Sequence, residues 1–142
     1  MTARRDDRGT ATVFVVGLAV ILLALAGLVA DGGLAINARE QVADDVEQAS
    51  RAGAERVDVL ALRQTGVVRL DPVAARQAAE QFLAARGYSA ADVSVTADAA
   101  SVHTQAQRRV STALLSLVFI TSFTVSAQAR ARAASGITAA VP

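Results

Sequence analysis

Hydrophobic and polar positions follow three different rules along this chain, and each change of rule marks a new part. From Thr10 to Ala30 there is no alternation: TATVFVVGLAVILLALAGLVA carries no charge over about 21 residues. As a helix rising 1.5 Å per residue, it spans the roughly 30 Å of a bilayer core. From Ala35 onward a helical stripe takes over. Ala35, Ala38, Val42, Val46, Ala49, Gly53, Val57 and Leu60 recur every three or four residues, with Arg39, Glu40, Asp44, Asp45, Glu47, Gln48 and Arg51 between them. One continuous helix, first apolar and then amphipathic, is expected, with Gly32 and Gly33 permitting a bend at the junction.

Leu62 to Leu70 carries Gly66 and no stripe, and reads as a connector. Asp71 followed by Pro72 predicts a second helix over 72–86, since aspartate caps free backbone donors and proline suits the first turn. Its apolar face is Ala75, Ala79, Phe82 and Leu83, with Phe82 as chief anchor, and Gly87 can end it. After Tyr88 the period falls to two. Val93, Val95 and Ala97 predict one strand, Val102, Thr104 and Ala106 a second, and Phe123, Val125, Ala127, Ala129 and Ala131 a third. Each has one apolar and one polar face, as in an antiparallel sheet packed on helices. Between the last two lies VSTALLSLVFI, Val110 to Ile120, read as a short helix covering the sheet or touching the membrane surface, or as a buried strand. The fold class is therefore α+β: a long N-terminal helix, a second helix and a small three-stranded antiparallel sheet. The expected divisions are a stub at 1–9, a transmembrane helix at 10–30, a domain at 31–134 and a flexible tail at 135–142.

Charge adds an orientation. Arg4, Arg5 and Arg8 precede the apolar run, whereas Asp31 is the first charge after it and Arg39 the first basic residue. That bias places the N-terminus in the cytoplasm and the domain outside it. A cleaved secretory signal reads the same charged start, apolar run and small residues near Ala24 to Ala26. The run, however, exceeds the roughly 7 to 15 residues of a signal core, and helical periodicity continues past it.

Composition narrows the chemistry. There is no cysteine, so neither disulfides nor thiolate metal sites can form. Fourteen basic against thirteen acidic residues leave a net charge of +1, and four phenylalanines with one tyrosine offer few stacking platforms, so nucleic acid is not an expected partner. His103, the one histidine, has no cysteine to complete a metal shell and sits on a polar strand phase. Ser101 lacks the glycine-rich elbow of a serine nucleophile. Asp44, Asp45 and Glu47 lie among arginines and read as a solvated helix face. No catalytic residue, cofactor or small-molecule substrate is expected. Gly17, Ala24, Gly27 and Ala30 could let another membrane helix approach, or could reflect an alanine-rich composition. Arg108, Arg109, Arg130 and Arg132 read as ordinary surface charge or as a basic patch.

Asp7 to Ala54, DRGTATVFVVGLAVILLALAGLVADGGLAINAREQVADDVEQASRAGA, resembles the N-terminal signature of the TadE/TadG-like proteins of tight-adherence (Flp) pilus assembly. The likeness lies in the arginine-glycine start, the small-residue ATV opening of the apolar helix, the Asp-Gly-Gly that follows it and the alanine-rich amphipathic continuation. Val93 to Ala133 also look like the C-terminal part of such proteins. The resemblance implies a pilin-like membrane protein, a minor pilin or an accessory component of a type IV-related pilus or secretion system, with other subunits of that system as partners. It further implies a prepilin cleavage point between Gly9 and Thr10. The family's glutamate at the fifth mature position is Phe14 here, which points to slow or absent cleavage and to an anchored accessory role. The alternative from the residues alone is a single-pass anchored binding module unrelated to pili.

Overall fold

The computed structural model describes residues 7–133. The stub residues 1–6 and the tail at 135–142 lie outside the described residues. The order of elements is α1 (Asp7–Ala54), α2 (Val59–Thr65), α3 (Pro72–Ala85), a 3₁₀ turn (Ala90–Asp92), β1 (Val93–Ala97), β2 (Ser101–Ser111), a second 3₁₀ turn (Leu115–Val118) and β3 (Ser122–Arg132). The strands form one antiparallel sheet in the order β1-β2-β3. This is the α+β arrangement that the periodicities predict.

The described residues fall into two compact units, 7–36 with 110–123, and 37–109 with 124–133. The first contains the apolar part of α1 and the β2–β3 connection. The second contains the amphipathic part of α1, α2, α3 and most of the sheet.

In the second unit the stripe of α1 is core. Val42, Val46 and Ala49 are fully buried, together with Ala75, Ala79 and Leu83 of α3 and Val102 of β2. Gly53 marks a close approach, since a Cβ there would lie 2.8 Å from the Ala75 carbonyl oxygen and 3.1 Å from both methyls of Val102. β1 and β2 pair with Val95 opposite Thr104 and Ala97 opposite Val102, so the inward residues follow the period-two pattern. Asp98 closes the hairpin by accepting from the Ala100 and Ser101 N–H groups, both at 2.7 Å. These backbone donors hold its carboxyl below the usual carboxylate range. Val125 of β3 is buried, while Ala127, Ala129 and Ala131 are half-buried.

Three expectations are corrected, while α1 runs unbroken through Gly32 and Gly33 as the one continuous helix expected. It stops at Ala54 rather than continuing to Leu60, because Val57 bridges Leu70 and the Asp58 N–H donates to the Arg69 carbonyl at 2.8 Å. The connector contains α2, capped by the Asp58 carboxylate accepting from the Ala61 N–H. Leu83 and not Phe82 anchors α3, since Phe82 is half-buried with the Arg86 guanidinium 5.0 Å from its ring centroid. The ends of α3 do follow the sequence reading. Asp71 accepts from the Val73 and Ala74 N–H groups, and Gly87 has the positive φ of 85° that ends a helix.

Candidate functional site: the apolar helix and the loop on its end

The apolar part of α1 has no polar face. Val13, Phe14, Val16, Leu18, Ile21, Leu22, Leu25 and Leu28 occupy all sides of the helix and are all exposed. A helix hydrophobic all round must be surrounded by apolar material, and this one is not surrounded by its own chain. Among the described residues it is the one helix long and apolar enough to cross a membrane.

Asp31 ends this segment. Its side chain is not solvated like an ordinary surface aspartate: the residue is 1 % exposed and its carboxylate accepts three backbone N–H groups of the β2–β3 connection. Oδ1 takes the Ala113 N–H at 2.9 Å, and Oδ2 takes those of Leu114 at 3.0 Å and Leu115 at 2.7 Å. The Leu115 bond does most to hold the Asp31 carboxyl below the usual carboxylate range, against the opposing effect of burial, with Ala113 and Leu114 adding to it. One turn earlier, a Cβ on Gly27 would lie 3.0 Å from the Cβ of Leu114. The absence of a side chain at 27 is what lets the loop lie on the helix.

The residues proposed for helix contacts thus have different surroundings. Gly27 is covered by Leu114 of the same chain, Ala24 is half-buried, and Gly17 and Ala30 are exposed, with nothing within 4 Å of a Cβ on Gly17. Gly9 and Thr10 lie in the first turns of α1. Phe14 is exposed.

The second unit holds a polar cluster that corrects the solvated-face reading of Asp45. Asp45 is 6 % exposed and accepts from Arg86 Nη1 at 2.8 Å and from the Tyr88 hydroxyl at 3.0 Å, with Arg108 Nη2 at 3.6 Å. The Arg108 guanidinium also lies 4.5 Å from the Tyr88 ring centroid. Burial, and then the hydrogen bond to Asp45, push the Tyr88 hydroxyl up to about 12. Asp44 and Glu47 are exposed as expected. The candidate basic patch is divided: Arg108 serves Asp45 and Tyr88, whereas Arg130 donates to the Ser101 hydroxyl at 3.0 Å. His103 points outward, as its strand phase predicts.

Comparison with protein families bears on one part of this architecture. Residues 9–56 match the family Tad, described as Flp pilus-assembly TadE/G-like. The first third of the chain is a TadE/G-like segment. Its limits nearly coincide with α1, from Gly9 to two residues past the helix end, so the family signal resides in the apolar-then-amphipathic helix. The match connects the chain with Flp pilus assembly and, with the apolar helix, with the membrane. No curated protein and no solved structure was found to match the chain.

Proposed function

We propose that this TadE/G-like chain is a pilin-like accessory component of a Flp/tight-adherence pilus or a related secretion system. It is held in the cell membrane by residues 10–30, with its N-terminus in the cytoplasm and the sheet-bearing unit outside. The observation that carries this reading is the coincidence of the family match with a helix that is apolar on every side and whose large side chains from Val13 to Val29 are exposed. Orientation rests on Arg4, Arg5 and Arg8 before the span, against Arg39 alone in the first twenty residues after it. The role is assembly rather than catalysis. Phe14 at the place of the family's glutamate supports a membrane-retained component over a bulk filament subunit, with the Gly9–Thr10 bond cut slowly or not at all.

A full-length tagged chain, solubilised from membranes of a piliated host in mild detergent, should co-purify with Flp pilus-assembly subunits. Recovery without any of them would overturn the assignment. The chain contains no cysteine, so single introduced thiols report orientation cleanly. Gln105→Cys should react with an impermeant maleimide in intact spheroplasts and Ala3→Cys only after lysis, and the reverse pattern would invert the topology.

A further inference from the structure

We propose that the β2–β3 connection, residues 112–121, is a second membrane contact: an apolar wedge that the end of the spanning helix holds among the outermost acyl-chain segments of the bilayer. The inference rests on the membrane-spanning reading of α1 and deepens it by naming a lipid-facing site elsewhere in the chain.

Depth comes from Gly27. It lies three residues inside the end of the uncharged run at Ala30, about 5 Å along the helix axis. The loop reaches it directly, with Leu114 Cβ at 3.0 Å and Leu115 Cδ2 at 3.6 Å from the position of a Gly27 Cβ. A loop lying against this turn is at the level where interfacial segments sit, roughly 5–10 Å into the headgroup and acyl boundary.

Irregular backbone survives at that level only when its polar groups are satisfied without water. This loop meets much of that condition. Asp31 accepts the N–H groups of Ala113, Leu114 and Leu115. Those of Leu117, Phe119 and Ile120 donate to the carbonyls of Leu114, Ser116 and Leu115, and the Thr112 N–H donates to Thr121. The hydroxyls of Ser116 and Thr112 turn inward onto the carbonyls of Ala113 and Ile120.

With much of the backbone internally bonded, the loop presents apolar side chains. Phe119 is 95 % exposed and Leu117 71 %, with Leu114 and Ile120 also exposed. There is no charged residue between Arg109 and Arg130. Phe119 is the one non-glycine residue with positive φ among the described residues, at 66°, a conformation that costs energy and here keeps its ring off the loop. Continuity with the apolar span identifies the occupant as lipid, because the helix against which the loop rests is itself surrounded by acyl chains.

The chain has no tryptophan, so one can be placed as a sole fluorophore. Full-length Phe119→Trp, Leu22→Trp and Gln105→Trp are reconstituted into phosphatidylcholine–phosphatidylglycerol vesicles containing lipids brominated at shallow or deep acyl positions. Phe119→Trp should be quenched best by shallow bromine, Leu22→Trp by deep bromine, and Gln105→Trp severalfold more than either by aqueous acrylamide. Adding Asp31→Ala, or separately Gly27→Leu, to Phe119→Trp should raise its acrylamide quenching severalfold while the far-ultraviolet circular dichroism is unchanged. Either variant suffices if the other does not fold. Free acrylamide quenching of Phe119→Trp, with Leu22→Trp still quenched by bromine, would overturn the wedge alone. Shielding of Phe119→Trp from acrylamide without bromine quenching would overturn it in favour of a second protein covering the loop. Loss of bromine quenching at Leu22→Trp as well would overturn the spanning reading on which the wedge rests.

Discussion

Replacing Gly53 by alanine tests the packing of the second unit where α1, α3 and β2 approach closely. The new Cβ would sit 2.8 Å from the Ala75 carbonyl oxygen and 3.1 Å from both Val102 methyls. The first of these neighbours is backbone, so no rotamer change relieves the clash, and α1 and α3 must separate. Overpacking of this kind costs about 1–3 kcal/mol. Alanine recovers up to about 1 kcal/mol of helix propensity over glycine, and less in a final turn such as this one. The net expectation is a loss of about 1–2 kcal/mol, or a fall of roughly 5–10 °C in Tm for a domain of this size. Tyr88 is the sole tyrosine and belongs to this unit, so its near-ultraviolet dichroism in detergent micelles follows the relevant transition. Gly33→Ala is the reference: it lies on the same helix with nothing among the described residues within 4 Å of its Cβ, and should leave that transition unchanged or raise it slightly. A Gly53→Ala protein melting no lower than Gly33→Ala would refute the close approach of α1 to α3.

The remaining predictions concern the polar groups of the same unit. Absorbance of tyrosinate should titrate near pH 12 in the folded protein and near 10 in guanidinium. Because the folded value is the higher, the associated stability is complete below pH 10 and is lost as pH rises through 12; equal midpoints would contradict the burial of the Tyr88 hydroxyl together with its bond to Asp45. Asp45→Ala leaves the buried hydroxyl of Tyr88 without its acceptor and the half-exposed Arg86 with Gln48 alone, and should cost about 2–3 kcal/mol by denaturant unfolding. Thr104 is fully buried opposite Val95 and its hydroxyl has no partner among the described residues, so Thr104→Val should stabilise by about 1–2 kcal/mol, whereas a lower Tm would mean that the hydroxyl is satisfied.

The elements legible in the sequence are those specified by short-range pattern. Val93–Ala97 shows as strict alternation, and Asp71-Pro72 and Gly87 bracket α3 with local chemistry. What escaped was decided by partners distant in the chain. The end of α1 depends on Val57 meeting Leu70 and Asp58 meeting Arg69, which override a helical stripe that persists on paper to Leu60. The role of Asp31 was hidden because its partners are backbone amides more than eighty residues away, and amides carry no residue-type signature. Asp45 had a signal: it stands three residues after Val42 and four before Ala49, within the apolar stripe, and an acid there calls for a buried cationic partner. Leucine content alone left Val110 to Ile120 open between helix and strand. It is the end of β2 followed by a loop with one 3₁₀ turn, Leu115–Val118, whose start is held by the Asp31 carboxylate.

The central proposal is that this chain, anchored by its apolar helix, serves Flp pilus assembly. Its most direct test is an in-frame deletion in a piliated host, with surface pili counted by electron microscopy. Surface pili should be lost, return with the full-length chain, and fail to return with a chain lacking residues 10–30. Undiminished piliation in the deletion strain would contradict the account.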